Sequence, residues 1–104
     1  MISDRWILTA AHCQIRKEDE IRLGDHNILI GIEAREHHGS IERIIEHPQH
    51  AKVVRGDFDF SLVRLKEKID WADQPNIRPV CLPTNKNENL TGRRATVSGW
   101  GILG

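Results

Sequence analysis

Long apolar runs, cysteines and an excess of charge of either sign are scarce in this sequence of 104 residues. No run approaches the roughly 18 apolar residues of a membrane-spanning helix, which argues against a membrane protein. The 15 basic side chains balance the 15 acidic ones, so nothing favours a nucleic-acid partner or a charged membrane surface. The first residues lack the basic start and apolar stretch of a signal peptide. This absence fits a cytosolic protein or a chain whose natural amino terminus lies upstream.

The two cysteines, Cys13 and Cys81, are too few for a disulfide scaffold or for a zinc site. Taken alone, they could pair with each other, stay free or have partners outside this sequence. Four histidines lie between positions 37 and 50, but no carboxylate or thiolate spacing there closes a tetrahedral zinc site. We interpret the histidine group as polar surface.

Glycine and proline residues divide the chain into short apolar runs, which favour strands over long amphipathic helices. The segment around residues 41–45 could form a helix face, but Gly39 and Pro48 leave too little room for one. Prolines at positions 75, 79 and 83 predict an extended connection, followed by a polar loop over residues 84–91. The predicted strands recur at intervals of roughly 10 residues, as in an all-β barrel or sandwich. They cover residues 5–9, 20–23, 41–45, 60–65 and 95–97.

Two short motifs carry candidate chemistry. The run Leu-Thr-Ala-Ala-His-Cys at residues 8–13 places His12 behind two alanines, which allow close backbone packing behind the imidazole. An isolated histidine after a strand is more often structural or on the surface. The second run, at residues 57–65, places Asp57 and Asp59 before an apolar strand. An isolated aspartate there is more often a turn or cap residue.

In combination and in this order, the two motifs resemble the histidine and aspartate segments of the chymotrypsin/trypsin-like serine proteases (peptidase S1). Residues 78–83 (Arg-Pro-Val-Cys-Leu-Pro) and 97–101 (Val-Ser-Gly-Trp-Gly) are similar to segments that lead from the first barrel of that family towards the second. The resemblance covers residues 2–101. It implies an all-β fold over residues 1–104, namely an incomplete antiparallel first barrel of a two-barrel serine protease, plus the start of the inter-barrel connection.

The resemblance also implies roles for two side chains. His12 would act as general base and then general acid, since an imidazole with a pKa of about 6.5 exchanges protons near neutrality. Asp59 would accept a hydrogen bond from the other ring nitrogen and so fix the tautomer. Asp57 is the nearby alternative that the alignment does not favour. We therefore expect the two motifs to meet at the rim of the barrel.

The nucleophile of the family is not among these residues. Its Gly-Asp-Ser-Gly-Gly segment does not occur, and none of the serines at positions 3, 40, 61 and 98 lies in a glycine-flanked elbow. We expect a fragment of a serine endopeptidase that is inactive alone, with exposed strand edges and apolar patches that make it marginally stable or prone to associate. The alternative is a non-catalytic protease homologue with a binding or regulatory role.

Further expectations follow from the same resemblance. The complete enzyme would be secreted, act on proteins or peptides and meet protease inhibitors. Cys13 and Cys81 would form disulfides with cysteines outside this chain, and Asn89 in Asn-Leu-Thr would be an N-glycosylation acceptor.

No cofactor is expected to be required. Residues 23–27 resemble the start of a loop that binds calcium in some members of the family. Asp25, with Glu33 or Glu36, could supply oxygen ligands for that ion. The spacing is shifted relative to those members, and an ordinary solvated loop is the competing interpretation.

Overall fold

The structure is a computed structural model that describes residues 1–24, 36–50 and 56–102. Its regular elements are four strands and one short 3-10 helix, which directly follows the first strand. The strands are β1 (Trp6–Thr9), β2 (Glu20–Leu23), β3 (His37–Glu46) and β4 (Ser61–Leu65), and the 3-10 helix spans Ala11–Cys13. The strands form one antiparallel sheet in the order β1-β4-β3-β2. This curled half-barrel confirms the predicted all-β fold.

Strand β3 is the longest and joins the two halves of the sheet. Its residues 37–40 pair with β2, and its residues 41–46 pair with β4. The register shifts between Ile41 and Arg43, which leaves Glu42 as an extra residue on β3. Such a bulge bends a strand and increases its twist. The predicted strand at 41–45 is confirmed, and it begins four residues earlier than the sequence indicated.

The core contains a buried cluster that faces Gly39 of β3. Leu65, Ile69 and Ile77 are buried there, and Ile7 and Ile21 pack against them from β1 and β2. Gly39 permits this packing, because a Cβ at that position would lie only 3.1 Å from Cδ2 of Leu65. Gly39, which argued against a helix in the sequence, thus allows β3 to approach the core closely.

The prediction of a strand at residues 95–97 is wrong. This segment has no regular structure, and Val97 is 97% exposed. A strand needs a neighbour for its backbone N–H and C=O groups, and no strand in the described ranges lies beside it. Leu82 and Trp100 are also exposed in the stretch from residue 78 to 102. Apolar surface of this kind is the physical basis for the association that we expect of the isolated chain.

None of the helices in the described ranges is long and apolar enough to cross a membrane.

Candidate active site

The pairing of β1 with β4 brings the two sequence motifs together. Thr9 at the end of β1 lies opposite Ser61 at the start of β4. His12 follows Thr9 by three residues and Asp59 precedes Ser61 by two, so both leave the sheet at the same end. The 3-10 helix turns His12 back across this end, and its backbone ends with Gln14 in the left-handed region at φ 53°. Ala11, which directly precedes the histidine, is buried.

The carboxylate of Asp59 holds His12 at two points. Oδ1 accepts the backbone N–H of His12 at 2.8 Å, and Oδ2 is in hydrogen-bond contact with Nδ1 of the ring. An ionised carboxylate can only accept, so Nδ1 carries the proton and Nε2 of a neutral ring keeps its lone pair. The side chain of His12 is 71% exposed and that of Asp59 is 27% exposed. The free ring nitrogen therefore belongs to an accessible imidazole of fixed tautomer.

The same contacts change the acidity of Asp59. The hydrogen bond from the His12 ring lowers the pKa of this carboxyl group, and the backbone N–H of His12 lowers it further. Partial burial acts in the opposite direction and is the weaker influence, while the charges of His12 and His50 favour the ionised form. Hydrogen bonds to a charged form stabilise that form. Asp59 is consequently a carboxylate at neutral pH.

We predict that Asp59 contributes stability that acid removes. Because its pKa is lower in the folded chain, its contribution is complete above the ordinary aspartate pKa of about 3.9 and is lost as the pH falls through the folded-state value. Asp59→Asn should therefore flatten the loss of stability below about pH 4. Urea unfolding at a series of acidic pH values measures this. Asp57→Asn, an exposed neighbour, is the matched control, and equal flattening in both variants would contradict the assignment.

An open groove of about 570 Å³ adjoins the pair. Its described lining includes the polar residues Gln14, Glu46 and His50 beside His12 and Asp59. His50 comes from the turn after β3, and the interpretation of its histidine group as polar surface did not predict a place beside Asp59. Its Nδ1 donates to the backbone carbonyl of Asp57 at 3.2 Å and lies 4.0 Å from Oδ1 of Asp59.

The structure distinguishes the two aspartates of the second motif. Asp59 contacts His12, whereas Asp57 is exposed and offers only its backbone carbonyl, to His50. The catalytic role of Asp59 stays a prediction, but the geometry required for it is present at position 59.

The remaining predicted modification sites are exposed. Cys13 and Cys81 are both free thiols on the surface and are not bonded to each other. Their pairing with cysteines elsewhere stays a prediction. Asn89 lies in an exposed turn, where its side-chain oxygen accepts the backbone N–H of Thr91 at 3.0 Å. This turn leaves the asparagine on the surface, as a glycosylation acceptor must be.

The predicted calcium ligands are only partly within the described residues. Asp25 and Glu33 lie outside them. The side chain of Glu36 has no exposed surface, its Oε1 contacts Nε2 of His38, and the same oxygen lies 3.8 Å from Nε of Arg22. Calcium is bound by several oxygens, and a carboxylate already facing two groups that can carry positive charge does not fit that set. We derive no role for calcium.

No group of three or more His, Cys, Asp or Glu side chains within residues 1–24, 36–50 and 56–102 is placed to hold a metal ion.

A carboxylate that fixes an imidazole whose second nitrogen faces a groove is the arrangement of the general base in hydrolases with an activated nucleophile. Comparison with known proteins gives the family. The model of the trypsin family matches residues 1–104. The chain therefore belongs to the trypsin family of serine peptidases.

Individual relatives agree with this assignment. The chain is 40% identical over 101 residues to trypsin-4 of Rattus norvegicus and 35% identical over 101 residues to trypsin-1 of Salmo salar. These alignments cover 97% of this chain but only 38% and 39% of the two trypsins. Phenoloxidase-activating factor 1 of Holotrichia diomphalia is 30% identical over 119 residues, with 97% of this chain and 32% of that protein covered. The chain spans about two fifths of the length of the trypsins.

Proposed function

We propose that this chain supplies the proton-transfer half of a serine endopeptidase, with His12 as general base and Asp59 as the group that orients it. The supporting observation is the double contact of Asp59 with His12, which leaves Nε2 free at an open groove. In the mechanism of this family, a serine hydroxyl gives its proton to that nitrogen as its oxygen attacks the peptide carbonyl. The imidazolium then protonates the leaving amine, and the carboxylate stabilises the positive ring meanwhile.

The nucleophile in this proposal lies outside the 104 residues, and the contacts of the four serines support that. Oγ of Ser61 donates to the carbonyl of Ile45 at 3.2 Å, and Oγ of Ser3 accepts from the backbone N–H of Trp6 at 3.2 Å. Ser40 lies in the β2–β3 ladder and Ser98 in the exposed carboxyl-terminal stretch. Within the described ranges, none of them has a hydrogen bond to the His12 side chain. Without a nucleophile and an oxyanion hole, the pair has no group to activate, so we propose that the chain alone does not hydrolyse peptides.

The substrates and location belong to the same proposal. The complete protein would cleave proteins or peptides, meet protease inhibitors and act outside the cell. It would carry disulfides at Cys13 and Cys81 and require no cofactor.

A fluorophosphonate probe, which labels only an activated serine, tests the proposal. The 104-residue chain should not be labelled, whereas a protein that continues past Gly104 into a Gly-Asp-Ser-Gly segment should be labelled and should cleave a peptide amide. Heat-denatured protein is the control for non-specific labelling. Labelling of the 104-residue chain would contradict the assignment of the nucleophile. Another residue in place of that serine would favour the non-catalytic binding role.

A further inference from the structure

An aromatic cluster holds the segment that carries Asp59. The imidazole of His47 stacks on the ring of Phe58, with centroids 4.7 Å apart and planes inclined by 16°. The same imidazole meets the ring of Phe60 edge-on, with centroids 4.7 Å apart and planes inclined by 76°. Both arrangements are favourable for aromatic pairs. Phe58 and Phe60 are the two neighbours of Asp59 in the chain, so one ring secures the backbone on both sides of the carboxylate. We call these three residues the His47 clamp.

The backbone inside the clamp has an uncommon conformation. The N–H of Phe60 donates to the carbonyl of Phe58 at 2.8 Å, which closes a three-residue turn centred on Asp59. Phe58 has a positive φ of 51°, and a bulky residue seldom adopts the left-handed region. Such conformations persist where surrounding contacts hold them in place. The stacked His47 ring is the aromatic contact that Phe58 makes.

The orientation of the His47 ring is itself fixed. Its Nδ1 accepts the backbone N–H of Gln49 at 3.0 Å, and its own backbone N–H donates to the carbonyl of Phe60 at 3.0 Å. The second bond extends the pairing of β3 with β4 by one step beyond Glu46 and Ser61. His47 therefore links the end of β3 to the turn at Asp59 through its backbone and its ring. It has no hydrogen bond to His12 in the described part of the chain.

We propose that His47 is a positioning residue, whose ring holds the turn at Asp59 so that the carboxylate meets His12. The consequence for catalysis rests on the function proposed above, but the geometric claim rests only on the contacts of the clamp. A residue that merely adds stability would affect all parts of the chain in proportion. A positioning residue affects the contact between Asp59 and His12 beyond its effect on global stability.

Nuclear magnetic resonance of the 104-residue chain, at a concentration and temperature at which sedimentation shows a folded monomer, separates these two roles. The readouts are hydrogen exchange of the His12 backbone amide and the resonance of the His12 Nδ1 proton, the two donors that Asp59 accepts. His47→Ala should accelerate exchange of the His12 amide roughly fivefold or more, the change expected when one hydrogen bond is lost, and should shift or broaden the ring-proton signal. His47→Phe should restore both readouts in part, since it keeps an aromatic ring between Phe58 and Phe60 but loses the bond from Gln49 that orients the ring.

Two control variants complete the experiment. His37→Ala removes an imidazole from the start of β3, and Ile21→Ala weakens the core away from the site. Neither variant should change the Nδ1 proton signal of His12. Neither should accelerate exchange of the His12 amide by more than its loss of global stability explains. If His47→Ala does not fold, Phe58→Leu removes the stacked ring from the other side and should accelerate His12 exchange in the same way.

Three results would overturn the proposal: His12 readouts unaffected in a folded clamp variant, an equal effect in Ile21→Ala, or no restoration by His47→Phe. Because no reading depends on turnover, these results are distinct from a failure of the proposed protease function.

Discussion

Alanine at position 65 should lower the free energy of unfolding by about 2–5 kcal/mol. Leu65 is 1% exposed and packs with Ile69 and Ile77 in the buried cluster, where its Cδ2 also faces Gly39 on β3. Truncation removes apolar surface that is buried on folding and leaves a cavity that the neighbours fill only in part. This loss is a large part of the roughly 5–15 kcal/mol that stabilises a small domain, so the variant should unfold at a much lower urea concentration than the unmodified chain. Urea unfolding followed by circular dichroism measures the loss.

The matched control for this prediction is Leu82→Ala. Leu82 is 53% exposed in the stretch after the core, and surface substitutions usually change stability by less than about 0.5 kcal/mol. A loss at position 82 as large as that at position 65 would show that the buried cluster is not the core on which folding depends.

The second large effect rests on the proposed function and concerns activity in a longer protein that contains this chain. His12→Ala should lower kcat by about 10⁶-fold, because no other group then takes the proton of the nucleophile. Asp59→Asn should lower kcat by about 10⁴-fold, since an amide that donates to Nδ1 leaves the ring in the wrong tautomer. Both magnitudes are typical of serine proteases that carry these substitutions. Single-turnover and steady-state cleavage of a peptide amide measure them.

Asp57→Asn is the control for these two variants. Asp57 offers a backbone carbonyl and no side-chain contact to the groove, so kcat should stay within about twofold of the unmodified protein, the small change expected where no interaction made in the transition state is removed. A loss at position 57 equal to that at position 59 would reassign the carboxylate that orients His12.

Local patterns were sufficient to predict three of the strands. Alternation in residues 20–23 and the apolar runs before His12 and after Asp59 predict β1, β2 and β4 to within one residue. In these strands, alternating or continuous apolar residues indicate that one or both faces are buried. The contact between His12 and Asp59 was implied by the resemblance to the protease family, and the pairing of β1 with β4 is what brings the ends of the two motifs together.

Other features depend on contacts that no local pattern encodes. The short apolar run at residues 95–97 is indistinguishable in sequence from a strand, but the described chain offers it no partner. The bulge at Glu42 lies near the point where β3 stops pairing with β2 and begins pairing with β4. The interpretation of His47 as polar surface missed its ring contacts with two phenylalanines more than ten residues away, which no local pattern encodes.

The register of β1 against β4 also determines which carboxylate, that of Asp57 or that of Asp59, meets His12. With Thr9 opposite Ser61, position 59 faces the imidazole. A register slip of one residue would place Phe58 or Phe60 opposite the imidazole in place of Asp59. A slip of two residues in one direction would place Asp57 there. Substitutions that loosen this ladder should therefore yield mixed populations, in which the competent fraction falls while each correctly aligned molecule keeps its full reactivity.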